Sequence, residues 1–254
     1  MNILVVNDDG IKAKGIRTLV EHLSEEANVF VVAPNSQKSA AGHGITISKP
    51  VFVKECHFPK AYMAFEVHGT PADCVKVGLR ILEEKGVEID MVYSGINHGA
   101  NLGTDTLYSG TVSAALEGAM CGKPSVAISL GSHEATDFVF SGEIALKVLR
   151  ATTGKLAART ALNVNIPDIP RDEIRGIKYT RLGIREYEGL YKTRRLERKS
   201  FEAVYSGIPI KYDSDNNQID VIAAQNNYIT ISPLQYDLTN HYLIDEIGSW
   251  GIEE

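Results

Sequence analysis

Two adjacent carboxylates, Asp8 and Asp9, follow the short apolar run Ile3-Leu4-Val5-Val6 and precede Gly10. Like charges side by side repel, and each raises the other's pKa unless a cation intervenes. A divalent metal is one explanation of the pair. The other is an acidic helix start, because Asp suits an N-cap and the positive end of the helix dipole. Two further oxygen donors belong to polar stretches that follow later strands: Ser39 in the loop from Asn35 to Gly44, and Asn97 in the segment Gly95 to Asp105. Together with Asp8 and Asp9 they form an oxygen-only set at one sheet edge. Such donors suit Mg²⁺, Mn²⁺ or Ca²⁺ and match structural zinc poorly. Asn101, Ser109, Gly110 and Thr111 add neutral donors suited to a phosphate group.

These residues need a scaffold that brings three chain-distant loops to one place. Ile3–Val6 and Asn28–Ala33 read as strands buried on both faces, the kind found in parallel sheets. Between them Ile16, Leu19, Val20 and Leu23 recur at helical spacing. Residues 45–68 alternate loosely around Pro50 and Pro59 and predict extended pieces. Thr70-Pro71-Ala72-Asp73 predicts a helix start, with Thr as N-cap, Pro at the first helical position and an acid at the third. Ile89–Ser94, Ser125–Leu130 and Ala161–Ile166 predict strands, and 137–151 a helix. Alternation of this kind predicts an α/β fold, doubly wound around a mostly parallel Rossmann-like sheet, over residues 1–170.

The segment from Gly95 to Thr111 is dominated by glycine, asparagine and hydroxyl residues, with little to bury. A loop of that composition is either mobile or folded around a ligand. It runs into the apolar stripe Val112, Ala115, Leu116 and Ala119, so Ser109-Gly110-Thr111 marks a helix N-terminus. Unpaired first-turn N–H groups and the dipole favour an anion there. An ordinary Ser or Thr cap would use the same residues. After residue 170 the texture changes to short β-like pieces (Gly176–Arg181, Phe201–Tyr205, Ala223–Ile231) among charged residues. Residues 171–254 therefore read as a β-rich C-terminal appendage, whose basic run Lys192–Lys199 predicts a solvated hairpin or loop.

The formal net charge of −6 argues against a nucleic-acid polymer as partner, while leaving room for a single nucleotide in a local pocket. Three scattered cysteines, Cys56, Cys74 and Cys121, contain no C-x-x-C pair and fit neither a disulfide framework nor a thiolate metal site. No apolar run approaches the ~20 residues that span a bilayer, and no signal-peptide pattern is visible. A cytoplasmic protein without membrane contact is expected.

Five separated motifs occur in one order: NDDG at Asn7–Gly10, the Pro34–Gly42 loop with Ser39, GTPADC at Gly69–Cys74, SGINHGANLG at Ser94–Gly103 and YSGTVSAALEG at Tyr108–Gly118. In these the chain resembles the SurE-type survival proteins, a family of metal-dependent nucleotidases. The resemblance implies that Asp8, Asp9, Ser39 and Asn97 hold one divalent cation. It implies release of phosphate from nucleoside monophosphates, with 3′-nucleotides and short polyphosphate as further substrates. It also implies a homodimer or homotetramer assembled through an exchanged C-terminal arm. Phosphomonoester hydrolysis suits the residues: charge on the phosphate is neutralised, and Asp8 or Asp9 orients a water or itself attacks.

Three other readings compete. A receiver domain also places two acids after its first strand, but it needs an Asp after the third strand and a Lys after the fifth. Here those strands deliver Asn97 and Pro167. A haloacid-dehalogenase-type phosphatase needs D-x-D, which Asp8-Asp9-Gly10 does not supply. A non-catalytic nucleotide-binding protein would use the same pocket and differs only in turnover.

Overall fold

The computed structural model describes residues 1–197 and 199–252. In chain order the core elements are β1 (Asn2–Val6), α1 (Lys14–Leu23), β2 (Asn28–Pro34), β3 (Val53–Cys56), β4 (Met63–Val67), α2 (Pro71–Glu84) and β5 (Met91–His98). They continue with α3 (Gly110–Met120), β6 (Ser125–Leu130), α4 (Val139–Thr152) and β7 (Ala161–Ile166). Beyond these lie β8 (Ile177–Tyr179), β9 (Tyr187–Glu188), β10 (Tyr191–Arg195), β11 (Phe201–Tyr205), β12 (Ile208–Pro209), α5 (Asp220–Gln225), β13 (Ile229–Leu234) and α6 (His241–Ile247).

Nine strands form one sheet in the order β3-β4-β2-β1-β5-β6-β7-β13-β8. From β4 to β7 every pair is parallel, while β3 and β13 run antiparallel to β4 and β7. From β1 the chain winds outward through β2 to β4, then returns to β5 and winds the other way. The strand order therefore reverses between β1 and β5, and in open α/β sheets ligands bind outside the carboxyl ends at such a point. Asp8 and Asp9 follow one of these two strands and Asn97 ends the other.

Burial explains why the sheet forms. Ile3, Leu4, Val5 and Val6 are all fully buried, as expected of a strand covered on both faces. One face packs Ile3, Val5, Tyr93 and Val126 against α1 and α4, including Ile16, Leu19, Val20 and Leu23. The other packs Leu4, Val6, Phe30 and Val92 against α2 and α3. Thr70 caps α2 as predicted: its side chain accepts from the Asp73 N–H at 3.1 Å, and the Asp73 carboxylate accepts from the Thr70 N–H at 2.9 Å.

Three expectations need correction. The sheet does not end at residue 170, because β13 and β8 extend it beyond β7. Their apolar residues are too few to read as core in sequence, yet Ile229 is buried against the same cluster as Val164 and Ile166. Ala223–Ile231 is not one extended piece: it contains the end of α5 and the start of β13, divided at Asn227, whose φ of 65° stops the helix. Finally, β5 runs on to His98, with its register against β6 shifting between Ser94 and Asn97, so Asn97 belongs to the strand end and pairs with Ser129. The remaining C-terminal strands form two small antiparallel pairs, β10–β11 and β12–β9. The basic run from Lys192 lies partly on β10, and its Arg198 falls outside the described residues.

Candidate active site

The turn after β1 is held by backbone hydrogen bonds and by the Asn7 side chain. Asn7 Nδ2 donates to the Gly10 carbonyl at 2.9 Å, the Ile11 N–H donates to Pro34 O at 2.8 Å, and the Lys38 N–H donates to Asp8 O at 2.7 Å. The acidic turn and the loop carrying Ser39 are thus stitched together through backbone. Gln37 completes the link, its Nε2 lying 2.9 Å from Ser39 Oγ and 3.4 Å from Asp9 Oδ1.

Asp8 is buried. Thr111 Oγ1 donates to its Oδ1 at 2.5 Å. Burial pushes the carboxyl up to about 6; the Thr111 hydroxyl opposes this and the neighbouring Asp9 charge reinforces it. Asp9 meets the end of β5: its Oδ2 accepts from the His98 N–H at 3.1 Å and lies 3.3 Å from His98 Nδ1. His98 Nε2 stands 3.2 Å from Ala135 O, and the ring packs edge-on against Phe138. Asn97 donates from Nδ2 to Gly99 O at 2.8 Å, which fixes its amide and leaves Oδ1 for another partner.

The start of α3 abuts this group. Ser109 caps the helix, its Oγ accepting from the Val112 N–H at 3.1 Å. Gly110 is required by space: a Cβ there would lie 2.8 Å from Asp8 Cβ and 3.1 Å from Pro71 Cγ. Among the described residues the Gly110 N–H has no hydrogen-bond partner. Asn101 is buried deeper and is already committed. Its N–H donates to Asn165 Oδ1 at 2.7 Å, its Nδ2 to Ser129 Oγ at 2.8 Å, and its carbonyl accepts from Asn163 and Asn165. It anchors the glycine-rich loop to the ends of β6 and β7.

The match to the family model "Survival protein SurE" covers residues 3–189. A relative from Pelotomaculum thermopropionicum, named 5′-nucleotidase SurE, is 43% identical over 97% of this chain and 94% of its own. One of the same name from Petrotoga mobilis is 43% identical over 98% and 99%. The chain belongs to the SurE family. The crystal structure of the Sure protein from Aquifex aeolicus superposes with a TM-score of 0.84 at 34% identity, covering 100% of both chains.

In this SurE chain the expected residues fall into two groups. Asp9 and Ser39 are joined through Gln37, Asp8 meets the same loop through the Lys38 N–H, and Asn97 adjoins through His98; Ser109, Gly110 and Thr111 close the same edge from α3. Sequence reasoning assigned no role to Gln37 or His98. His98 directly follows Asn97 at a strand end, which is the signal that could have found it. Gln37 sits in a polar loop with nothing to distinguish it.

The donor chemistry fits a hard cation. Among the described residues no Lys or Arg lies within ion-pair distance of Asp8 or Asp9, and the His98 ring is the one basic side chain beside the pair. Two vicinal carboxylates are therefore held together with little compensating charge. No group of three or more His, Cys, Asp or Glu suited to a metal occurs among the described residues. A cation bound by these carboxylates would need neutral oxygens and water to complete its shell, a donor chemistry that suits a hard divalent ion better than a zinc cage.

Proposed function

We propose that this SurE chain is a 5′-nucleotidase that releases phosphate from nucleoside monophosphates, with one divalent cation, Mg²⁺ or Mn²⁺, held by Asp8, Asp9, Ser39 and Asn97. One observation carries the reading: two vicinal, poorly compensated carboxylates abut a helix N-terminus at the point where the strand order reverses. The names of the relatives, 5′-nucleotidase SurE, support the reaction class.

When bound, the cation would neutralise phosphate charge and lower the pKa of a water. The chain's own groups do the rest. The free Gly110 N–H and the α3 dipole receive a phosphate oxygen without adding charge. Ser109 and Thr111 are engaged in capping and in holding Asp8, so they shape the junction through those bonds. Asn101 fixes the loop that leads to it. Asp8 or Asp9 orients the attacking water or takes its proton, and His98 and Gln37 hold Asp9 in place for that task.

The apolar residues left exposed after residue 170, among them Phe201, Val204, Tyr205, Tyr242 and Trp250, support assembly of copies through residues 171–254 as a homodimer or homotetramer. Among the described residues no helix is long and apolar enough to cross a membrane, in keeping with a cytoplasmic location.

Phosphate release from a panel of 5′- and 3′-nucleoside monophosphates and short polyphosphate tests the reading. EDTA should abolish it and Mg²⁺ or Mn²⁺ restore it. Binding of nucleotide with no metal-dependent release would make the protein a binding module instead.

A further inference from the structure

The chain beyond residue 180 reaches back to the loop that precedes α3. Asp220, fully buried at the start of α5, spends its carboxylate on backbone alone. Its Oδ2 accepts from the Gly103 N–H at 2.7 Å, and its Oδ1 accepts from Gly183 at 2.7 Å and from Val221 at 2.8 Å. One side chain thereby joins three chain segments. Gly103 opens the single-turn 3-10 helix Gly103–Leu107, which leads through Tyr108 into Ser109. Its φ of 52° and its packing leave no room for a side chain, since a Cβ would lie 2.6 Å from Gly183 O.

A second set of contacts grips the same turn two residues later. Arg185 N–H donates to Thr104 Oγ1 at 3.1 Å, and Arg185 Nη1 lies 3.3 Å from Asp105 Oδ2. The Tyr187 hydroxyl donates to the same carboxylate oxygen. The turn is thus held by residues 183–187 and by Asp220, none of which touches the acidic turn after β1. Its far end is tied to the candidate site, because Tyr108 O accepts from Gly42 in the loop carrying Ser39 at 3.1 Å.

We propose that Asp220, aided by Tyr187 and Arg185, is a positioning residue that sets where the Ser109-Gly110-Thr111 junction presents its N–H groups to the substrate phosphate. The inference rests on the reading of that junction as the phosphate site. A buried carboxylate with three N–H donors has one informative replacement. Asparagine keeps an oxygen for Gly183 and Val221 but turns an NH₂ toward the Gly103 N–H, where donor meets donor. Asp220→Asn therefore releases the turn while leaving α5 bonded.

The test measures KM, kcat, inhibition by inorganic phosphate and Mn²⁺ affinity for the full-length protein, Asp220→Asn and Tyr187→Phe. For Asp220→Asn, KM for the nucleotide and Ki for phosphate should each rise about 10-fold, the scale of a misplaced binding group, with kcat and Mn²⁺ affinity nearly unchanged. Tyr187→Phe loses a single hydroxyl contact and should shift both in the same direction by about 3-fold. Should Asp220→Asn fail to fold, Tyr187→Phe decides alone. Folded variants with unaltered KM and Ki, or with kcat and Mn²⁺ affinity falling instead, overturn the inference. Wild-type protein that releases no phosphate in the same assay would overturn the nucleotidase reading itself, a separate outcome.

Discussion

α2 and α3 begin side by side at the same edge of the sheet, close enough that a Cβ on Gly110 would meet Pro71. Their N-termini are built differently. At α2 the ends are closed: Thr70 and Asp73 satisfy each other's backbone, and Asp73 also accepts from the Thr46 N–H and hydroxyl at 2.9 and 2.7 Å. At α3 only Val112 is capped, and the next acid is Asp8, brought from another strand. Burial pushes the Asp73 carboxyl upward, but hydrogen bonds from Thr46 and Thr70 outweigh it and hold it below the usual carboxylate range. Asp8 moves the opposite way. One helix start is closed by its own capping box and by Thr46, and the other has only the Val112 N–H capped by a side chain.

Charge removal separates the two most sharply. Asp8→Asn should lower kcat by roughly three orders of magnitude, the several kcal/mol that a Lewis-acid site supplies. Its stability should not fall. The folded pKa of Asp8 lies above the unfolded value, so ionised Asp8 disfavours the fold, and metal-free wild type gains stability as pH falls from above 6 toward 4. Metal-free Asp8→Asn should lose that slope, worth on the order of 3 kcal/mol, and melt no lower than metal-free wild type at pH 7. A large drop in Tm would make Asp8 a structural cap.

Gly110→Ala comes next. Because the new Cβ presses on Asp8, the expected result is a rise in KM of about 10-fold together with weaker metal binding, on the scale of a misplaced binding group. Unchanged kinetics in a folded variant would leave the junction as only a cap.

Asp73→Asn should show the reverse profile. Its folded pKa is lowered, so its stabilising contribution is present above the usual carboxylate pKa and lost as pH falls through the lowered value. The variant should lose about 1 kcal/mol at neutral pH, a typical cap contribution, with kcat/KM within about twofold of wild type. A collapse of turnover without loss of stability would erase the distinction between the two helix starts.

The α2 start was readable from four consecutive residues because a capping box is local: Thr70 and Asp73 bond each other's backbone within the motif, and only the added bonds from Thr46 come from elsewhere. The α3 start was readable only as a helix end. What makes it a site, the contact of Thr111 with Asp8, spans 103 positions, and no local pattern encodes it. β1, β6 and β7 were readable for the same local reason, being short apolar runs long enough to be strands and nothing else. β8 was readable as an extended piece within Gly176–Arg181, but the place of β8 and β13 in the main sheet was not, since β13 joins it only by pairing with β7 and β8 only by pairing with β13. Asn101 looked like a free donor by composition, whereas Ser129, Asn163 and Asn165 from two other strands had already engaged it.

Direct metal binding tests, without any appeal to turnover, whether Asp8 and Asp9 together hold one cation. Metal-stripped protein is titrated with Mn²⁺ while free Mn²⁺ is followed by its paramagnetic resonance signal. Wild type and Asp73→Asn should each bind one equivalent with similar affinity, and Asp8→Asn and Asp9→Asn should lose that equivalent. No binding by wild type, or full binding by both acid variants, would mean that the two carboxylates do not hold a cation.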